Sequence, residues 1–280
     1  AATAFTTFAY ASAALELTDQ LPPQTADLLR ETLAPAAHWL LARDDLVKVN
    51  HEVVAAAALA AYGRLAEDEL ALAGARAKLR RSLDTQRAEG WFPELRGMDF
   101  GYSALVVDYL GHYGRRMGME TVAAAAGRVV RFLVPHFHPD LTLAAEAGTC
   151  RNPYAGQAGY VLLAPHVEEA AALRRRLASL PASASRARIA AYLIDDLRLA
   201  RWSILPVLGA LVAAENPDLA GSGGLAPPQG WTVHPEAGVA AYHDAQLHVH
   251  FPFSGGAVTR VYAGDRLLLA DLGIEAERDE

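Results

Sequence analysis

The stretch Glu89-Gly90-Trp91-Phe92-Pro93-Glu94, continued by Gly97-Met98-Asp99-Phe100-Gly101-Tyr102, interrupts two Ala-rich segments of helical period. Connections between helices are usually short, so a polar and aromatic loop of this length is out of place unless it does something. It sets Trp91, Phe92 and Tyr102 beside Glu89, Glu94, Arg96 and Asp99. Aromatic walls with a few charges suit a pocket for a polar, ring-shaped ligand. The plainer alternative is that Trp91 plugs the helix ends.

Most of the chain around this loop reads as helix. Leu21-Pro22-Pro23 blocks a helix, and Thr25 or Asp27 can cap the segment from Asp27 to Leu41. Val47 to Tyr62 stops at Gly63, and Ala66 to Arg87 follows. Tyr102 to Tyr113 places Leu105, Val106, Tyr109 and Leu110 on one face, and Thr121 to Leu133 ends near Pro135. Residues 136–165 form a second long polar loop. Helical patterns return over Val167–Leu180, Ala184–Asp196 and Leu199–Glu215, the last with Pro206 as a kink.

The pattern changes at Asn216. Residues 216–245 are rich in Gly and Pro and read as a linker. From Gln246 the period becomes two, with Gly255-Gly256 as a hairpin turn and Arg266–Leu272 as a third strand. Pieces of two or three strands rarely stand alone. Either this one packs on the helices or a partner chain completes its sheet, and the second alternative is favoured. The expected architecture is therefore mainly α: an incomplete (α/α) toroid over residues 1–215, a linker over 216–245, and a short antiparallel β segment over 246–280.

A net charge of -7 over 280 residues, with Arg174-Arg175-Arg176 as the one basic run, argues against a nucleic-acid partner. The single cysteine, Cys150, forms no intrachain disulfide and fits a reducing compartment such as the cytoplasm. No apolar run is long enough for a membrane span. There is no GxSxG, P-loop or post-strand GxGxxG, so serine-hydrolase, nucleotide and dinucleotide chemistry have no foothold and no cofactor is expected.

Asn50-His51 opens an Ala-rich helix behind Asp44 and Asp45. If the helix already runs through them, Asp44, Lys48 and His51 fall on one face. Asn can bind a carboxylate or oxyanion, and His is a base near neutral pH. The structural alternative is Asp44 or Asp45 as a helix cap with Lys48 as its ion-pair partner. Tyr102 offers a phenol that a cation such as Arg96 can activate. The pairs His136/His138 and His248/His250 could bind a metal with His243 or Asp244, but no set of Cys or spaced carboxylates supports a metal site. Asp195-Asp196 lacks the further acid of an aspartate-rich Mg²⁺ motif, Leu199 standing in its place. Pairing with Arg198 or Arg201 on a helix face accounts for it better.

Several of these pieces, in order, resemble the heparinase II/III-like polysaccharide lyases. Gly90-Trp91-Phe92-Pro93-Glu94, Gly97 to Tyr102 and Asp108-Tyr109-Leu110 are similar to that family's "GWFPEY-GG-DPGY-TL-YL" run. Cys150-Arg151-Asn152-Pro153-Tyr154 resembles "SRNTEY", Asp195-Asp196-Leu197-Arg198 resembles "DDRYL", and Gly255-Gly256-Ala257-Val258 resembles the opening of the family's β domain. The resemblance implies an incomplete toroid, an antiparallel β-sandwich and β-elimination from uronic-acid polysaccharides. An Asn-His element neutralises the uronate, and a Tyr and a His move protons. Asn50, His51 and Tyr102 match the first three, and His248 or His250 stands for the last. The loop residues Asp44, Trp91, Glu94, Arg96, Asp99, Arg151, Asn152 and Tyr154 would hold substrate. Family members are much longer, and SRNTEY has become Cys-Arg-Asn-Pro-Tyr, so the substrate is not carried over with the fold. A truncated toroid that needs a β-rich partner also resembles the two-subunit, sulfate-eliminating, aziridine-forming cyclases of the azinomycin type. On that resemblance Asp45 or Asp44 would free an amine, while Arg96, Arg151 or His51 would hold the sulfate.

Overall fold

The computed structural model describes residues 2–45, 47–95, 97–152, 154–156, 158–178, 228–253 and 258–271. Among the described residues eight α-helices come first: α1 (Ala2–Glu16), α2 (Pro23–Ala42), α3 (Val49–Ala66), α4 (Glu69–Leu83), α5 (Phe100–Met117), α6 (Ala123–Leu133), α7 (Ala158–Leu163) and α8 (Glu168–Ala178). Short links join them as hairpins α1–α2, α3–α4, α5–α6 and α7–α8, which short connections force to run antiparallel. Neighbouring hairpins pack through α1 on α3, α3 on α5 and α5 on α7, with α2 against α4 and α6 against α8 outside. This is the layering of an α/α arc. Because each hairpin reverses the chain, the remaining connections, 43–48, 84–99 and 134–157, all emerge at one end.

The inner helices are apolar nearly all round, as helices enclosed by others must be. α3 buries Val53 through Leu59 without a break, and α5 buries Ser103 through Gly114. Small residues allow the close approach. A Cβ on Gly159 would come within 2.5 Å of the Val107 carbonyl, so the α5–α7 contact requires glycine. Gly63 works the same way and corrects the expectation of a helix stop. The helix runs on to Ala66, Gly63 meets Leu72 of α4, and Glu67 at φ 53° provides the left-handed cap. Residues 2–16, where the sequence pattern marks no element, form α1, whose Ala4, Phe8 and Ala11 are buried. α2 starts at Pro23, earlier than the caps at Thr25 or Asp27 predict, because proline suits the first helical position.

The sheet has five antiparallel strands in sequential order: β1 (Gly230–His234), β2 (Val239–His243), β3 (Leu247–Pro252), β4 (Thr259–Ala263) and β5 (Arg266–Asp271). This corrects both the count of three strands and the linker reading of residues 216–245, since β1 and β2 lie within that stretch. β2 is buried on both faces and reads Val-Ala-Ala-Tyr-His, so it shows no alternation. The helical patterns over 184–215, the Asp195-Asp196 pair and the Gly255-Gly256 turn lie outside the described residues. Among the described residues no helix is long and apolar enough to cross a membrane.

Candidate active site at the rim of the helical arc

The three connections at the open end of the arc are tied together. Lys48 bridges to Glu94 and Glu94 to Gly97. The Thr149 amide donates to the Met98 carbonyl, and the Thr149 hydroxyl donates to the Glu94 carbonyl. Asp99 caps α5 by accepting from the Tyr102 amide, and its other oxygen accepts from the Cys150 amide at 2.9 Å. Two cavities open on either side of this seam.

The first, about 260 Å³, is lined by Trp39, Leu40, Arg43, Asp44, Asp45, His51 and Glu52, with Ala4 and Ala55. His51 stands in the first turn of α3 and Asp45 in the preceding loop. His51 Nδ1 and Asp45 Oδ2 are 2.6 Å apart. Asp45 is not a helix cap, and the helix does not run back through Asp44. Asp45 Oδ1 instead accepts from the Val47 and Lys48 amides at 3.3 and 3.2 Å. Burial pushes the Asp45 carboxyl up, but the His51 hydrogen bond and charge and those two amides outweigh it, so Asp45 stays ionised. An ionised Asp45 fixes the proton on Nδ1 and leaves Nε2 as the lone-pair acceptor at the cavity wall. Burial lowers the His51 pKa against the opposing pull of Asp45, so the ring is neutral at neutral pH. That is the state a general base requires.

Asp44 pairs with Lys78 at 2.8 Å and Arg81 at 2.6 Å, both from α4. The expected partner Lys48 is not involved, because residues 44–48 are loop and the helical spacing never forms. Lys78 stands on the buried stripe of α4 with Ala71, Ala75, Leu79 and Ser82. Sequence reasoning missed it, although a lysine at a core position of an amphipathic helix is a signal in itself.

The second cavity, about 480 Å³, lies between the aromatic loop, the 147–151 loop and the β1–β2 turn. It is lined by Arg87, Trp91, Met98, Thr149, Arg151 and Glu236 among others. The Arg87 guanidinium sits 5.6 Å from the Trp91 ring centroid, and the exposed Arg151 lines the same cavity. The Glu89 carboxylate accepts from Trp91 Nε1 and from the Glu236 and Ala237 amides, which joins the loop to the sheet.

The remaining expected site residues lie elsewhere. Asn50 is buried, its backbone N–H donating to Glu94 Oε1 at 2.6 Å, and it lines neither cavity. Glu94 is buried beneath the seam, and burial pushes its pKa up to about 7 despite that amide. Tyr102 is half-buried in α5 and also lines neither cavity. Asn152 Oδ1 accepts from the Tyr154 amide, and the buried Tyr154 hydroxyl bonds Asp108. Asp99, Asn152 and Tyr154 thus hold the loops in place. Arg96 lies outside the described residues.

The histidine pairs meet in the interior. Register places His243, His248 and Tyr262 in one cross-strand row, and His250 and Arg260 in the next, facing the helices. His138 Nδ1 is 3.4 Å from His248 Nε2, and His248 Nδ1 is 2.9 Å from His243 Nδ1. His136 Nε2 lies 2.9 Å from His234 Nδ1. Glu146 sits between His138 and Arg260. Among the described residues no group of three or more His, Cys, Asp or Glu side chains is arranged to hold a metal ion. The cluster is the seam between sheet and helices, and His234, hidden in the supposed linker, was not legible in advance.

No family model matches the chain, and no characterised protein matches it by sequence. Solved structures do match. The fold is similar to that of a chondroitin lyase. The chondroitin AC lyase of Streptomyces coelicolor A3, as a tyrosine-to-alanine variant, superposes with a TM-score of 0.60 at 13% identity, covering 91% of this chain and 40% of that one. The same lyase in complex with chondroitin sulphate gives 0.57 at 12% identity with the same coverage. This chain therefore spans about two fifths of the length of the structures it resembles. At such identity the likeness concerns the fold, and chemistry has to be argued from the site.

Proposed function

We propose that this chain is an elimination catalyst of the lyase type, in which His51, oriented by Asp45, removes the proton. The observation that carries the proposal is the 2.6 Å contact between His51 Nδ1 and an ionised Asp45, set in a cavity wall. A base held in one tautomer by a carboxylate is the arrangement that proton abstraction needs. Arg87 and Arg151, flanking Trp91 in the neighbouring groove, would hold an anionic saccharide through charge and ring stacking. The likeness to a chondroitin lyase favours a uronic-acid polysaccharide as substrate. The base then takes the proton from the carbon next to the uronate carboxylate, the electron pair of that C–H bond forms a C=C bond as the glycosidic C–O bond breaks, and the leaving oxygen takes up a proton from water.

A second reading is a small-molecule elimination, with sulfate leaving as a ring closes. The volume of the His51 cavity, about 260 Å³, supports it, since that room suits a metabolite better than a polymer. Asp45 or Asp44 would then receive the amine proton. The expected β-rich partner belongs to the same proposal. Trp231, Val233, Phe251 and Leu269 are exposed on the sheet, and a second β layer from another chain would cover them. Native mass of the chain, alone and with a candidate partner, tests that element.

The two chemistries separate in one screen. Incubation with chondroitin sulphate and other uronate polysaccharides, followed by absorbance of unsaturated uronate, is expected to show product. Absence of product there, with sulfate released from amine-bearing sulfate esters, would favour the second reading. Absence of both would overturn the proposal.

A further inference from the structure

Lysine is rarely buried, because its ammonium loses solvation unless every proton is matched by a close acceptor. The Lys78 side chain is 2% exposed, and its acceptors are specific ones. Nζ donates to the Arg43 carbonyl at 2.6 Å, to Asp44 Oδ1 at 2.8 Å and to Glu52 Oε2 at 3.0 Å. Glu52, itself buried in α3, accepts the backbone amide of Asp45 on Oε1 at 2.7 Å. Three successive residues of the loop are therefore gripped: residue 43 by its carbonyl, 44 by its carboxylate and 45 by its amide. The grip ends at the residue whose side chain meets His51. Without it, the Val47 and Lys48 amides still meet Oδ1, but the loop that carries all three residues is free to shift, and a carboxylate that is 39% exposed has water as an alternative to the imidazole.

We infer that the buried Lys78–Glu52 ion pair is the positioning element of the His51–Asp45 pair, an inference that rests on reading His51 as the base. Neither residue acts on substrate in this account. Lys78 and Glu52 fix the loop, the loop fixes Asp45, and Asp45 fixes the His51 tautomer.

The test is nuclear magnetic resonance of the His51 ring in the whole chain, which needs no substrate. In the unaltered protein the Nδ1 proton is held by Asp45 and should be visible as a slowly exchanging signal. The double variant Lys78→Met/Glu52→Leu replaces the pair by apolar side chains, which buried ion pairs often tolerate. It is expected to lose that signal and to titrate about one pH unit lower at His51, because the carboxylate that raises its pKa is no longer held. Glu52→Leu alone leaves Lys78 with Asp44 and the Arg43 carbonyl and should shift His51 in the same direction. Glu52→Gln keeps an acceptor for the Asp45 amide and should restore the signal. A folded double variant or Glu52→Leu variant with unchanged Nδ1 signal and titration would overturn the inference. Failure of the catalytic reading shows differently, as His51→Ala retaining turnover while these His51 shifts appear as described.

Discussion

His51 and Asp45 meet at 2.6 Å although they belong to different local structures, one in the first turn of α3 and the other in the loop before it. The loop bends back because Asp45 Oδ1 accepts from two amides, which turns Oδ2 toward the ring. If this contact selects the tautomer of the base, replacing the carboxylate should cost rate and leave binding nearly intact. Asp45→Asn is expected to lower kcat about 10²–10⁴-fold with KM changed far less, measured by steady-state kinetics on whichever substrate the screen identifies.

Arg151 and Arg87 contribute charge to the groove without contacting the base. Arg151→Ala should therefore raise KM for an anionic saccharide, leave kcat within a few-fold, and weaken the salt dependence of binding. A variant whose KM matches that of the unaltered protein at low and again at high ionic strength would remove Arg151 from recognition.

The histidine seam makes stability depend on pH. Burial lowers the pKa of His136 well below its ordinary value, and burial together with the neighbouring His138 lowers that of His250 to about 3. A histidine whose folded pKa lies below its unfolded value of 6.5 binds fewer protons folded than unfolded at mild acidity. Its contribution is thus full above about pH 6.5 and falls as pH drops below it. The slope approaches about 1.4 kcal/mol per pH unit for each such histidine. Denaturant melts at successive pH values should show this decline, and His250→Phe, which keeps an aromatic ring against Phe100, should flatten it.

The α5–α7 contact is a second point of sensitivity. Gly159→Ala would press a methyl group against the Val107 carbonyl, which as backbone cannot step aside. The expected destabilisation is about 1–3 kcal/mol in chemical denaturation, typical of overpacking.

What the sequence showed in advance follows from how local each feature is. Asp45 and His51 could each be singled out from six residues of sequence, but their pairing could not: helical spacing grouped His51 with Asp44 and Lys48, and the contact arises only because residues 43–48 are loop. The aromatic loop announced itself by length and content, and Trp91 does line a groove. Asn50 could not be placed, because one residue along a helix turns the side chain by about 100°, and here it is buried away from the cavity that His51 lines. Lys78 reaches Asp44 across 34 residues, and His138 meets His248 across 110. No periodicity encodes such pairings. The second strand was hidden because β2 is covered on both faces and a strand of that kind does not alternate.

If His51 is the base of an elimination, its removal must abolish nearly all turnover. The most direct test compares unaltered protein with His51→Ala, both confirmed folded, in the same product assay with the substrate found in the screen. The expected result is product from the unaltered protein and a loss of about 10²-fold or more in kcat for the variant, with substrate still bound. Equal turnover by the two proteins would contradict it.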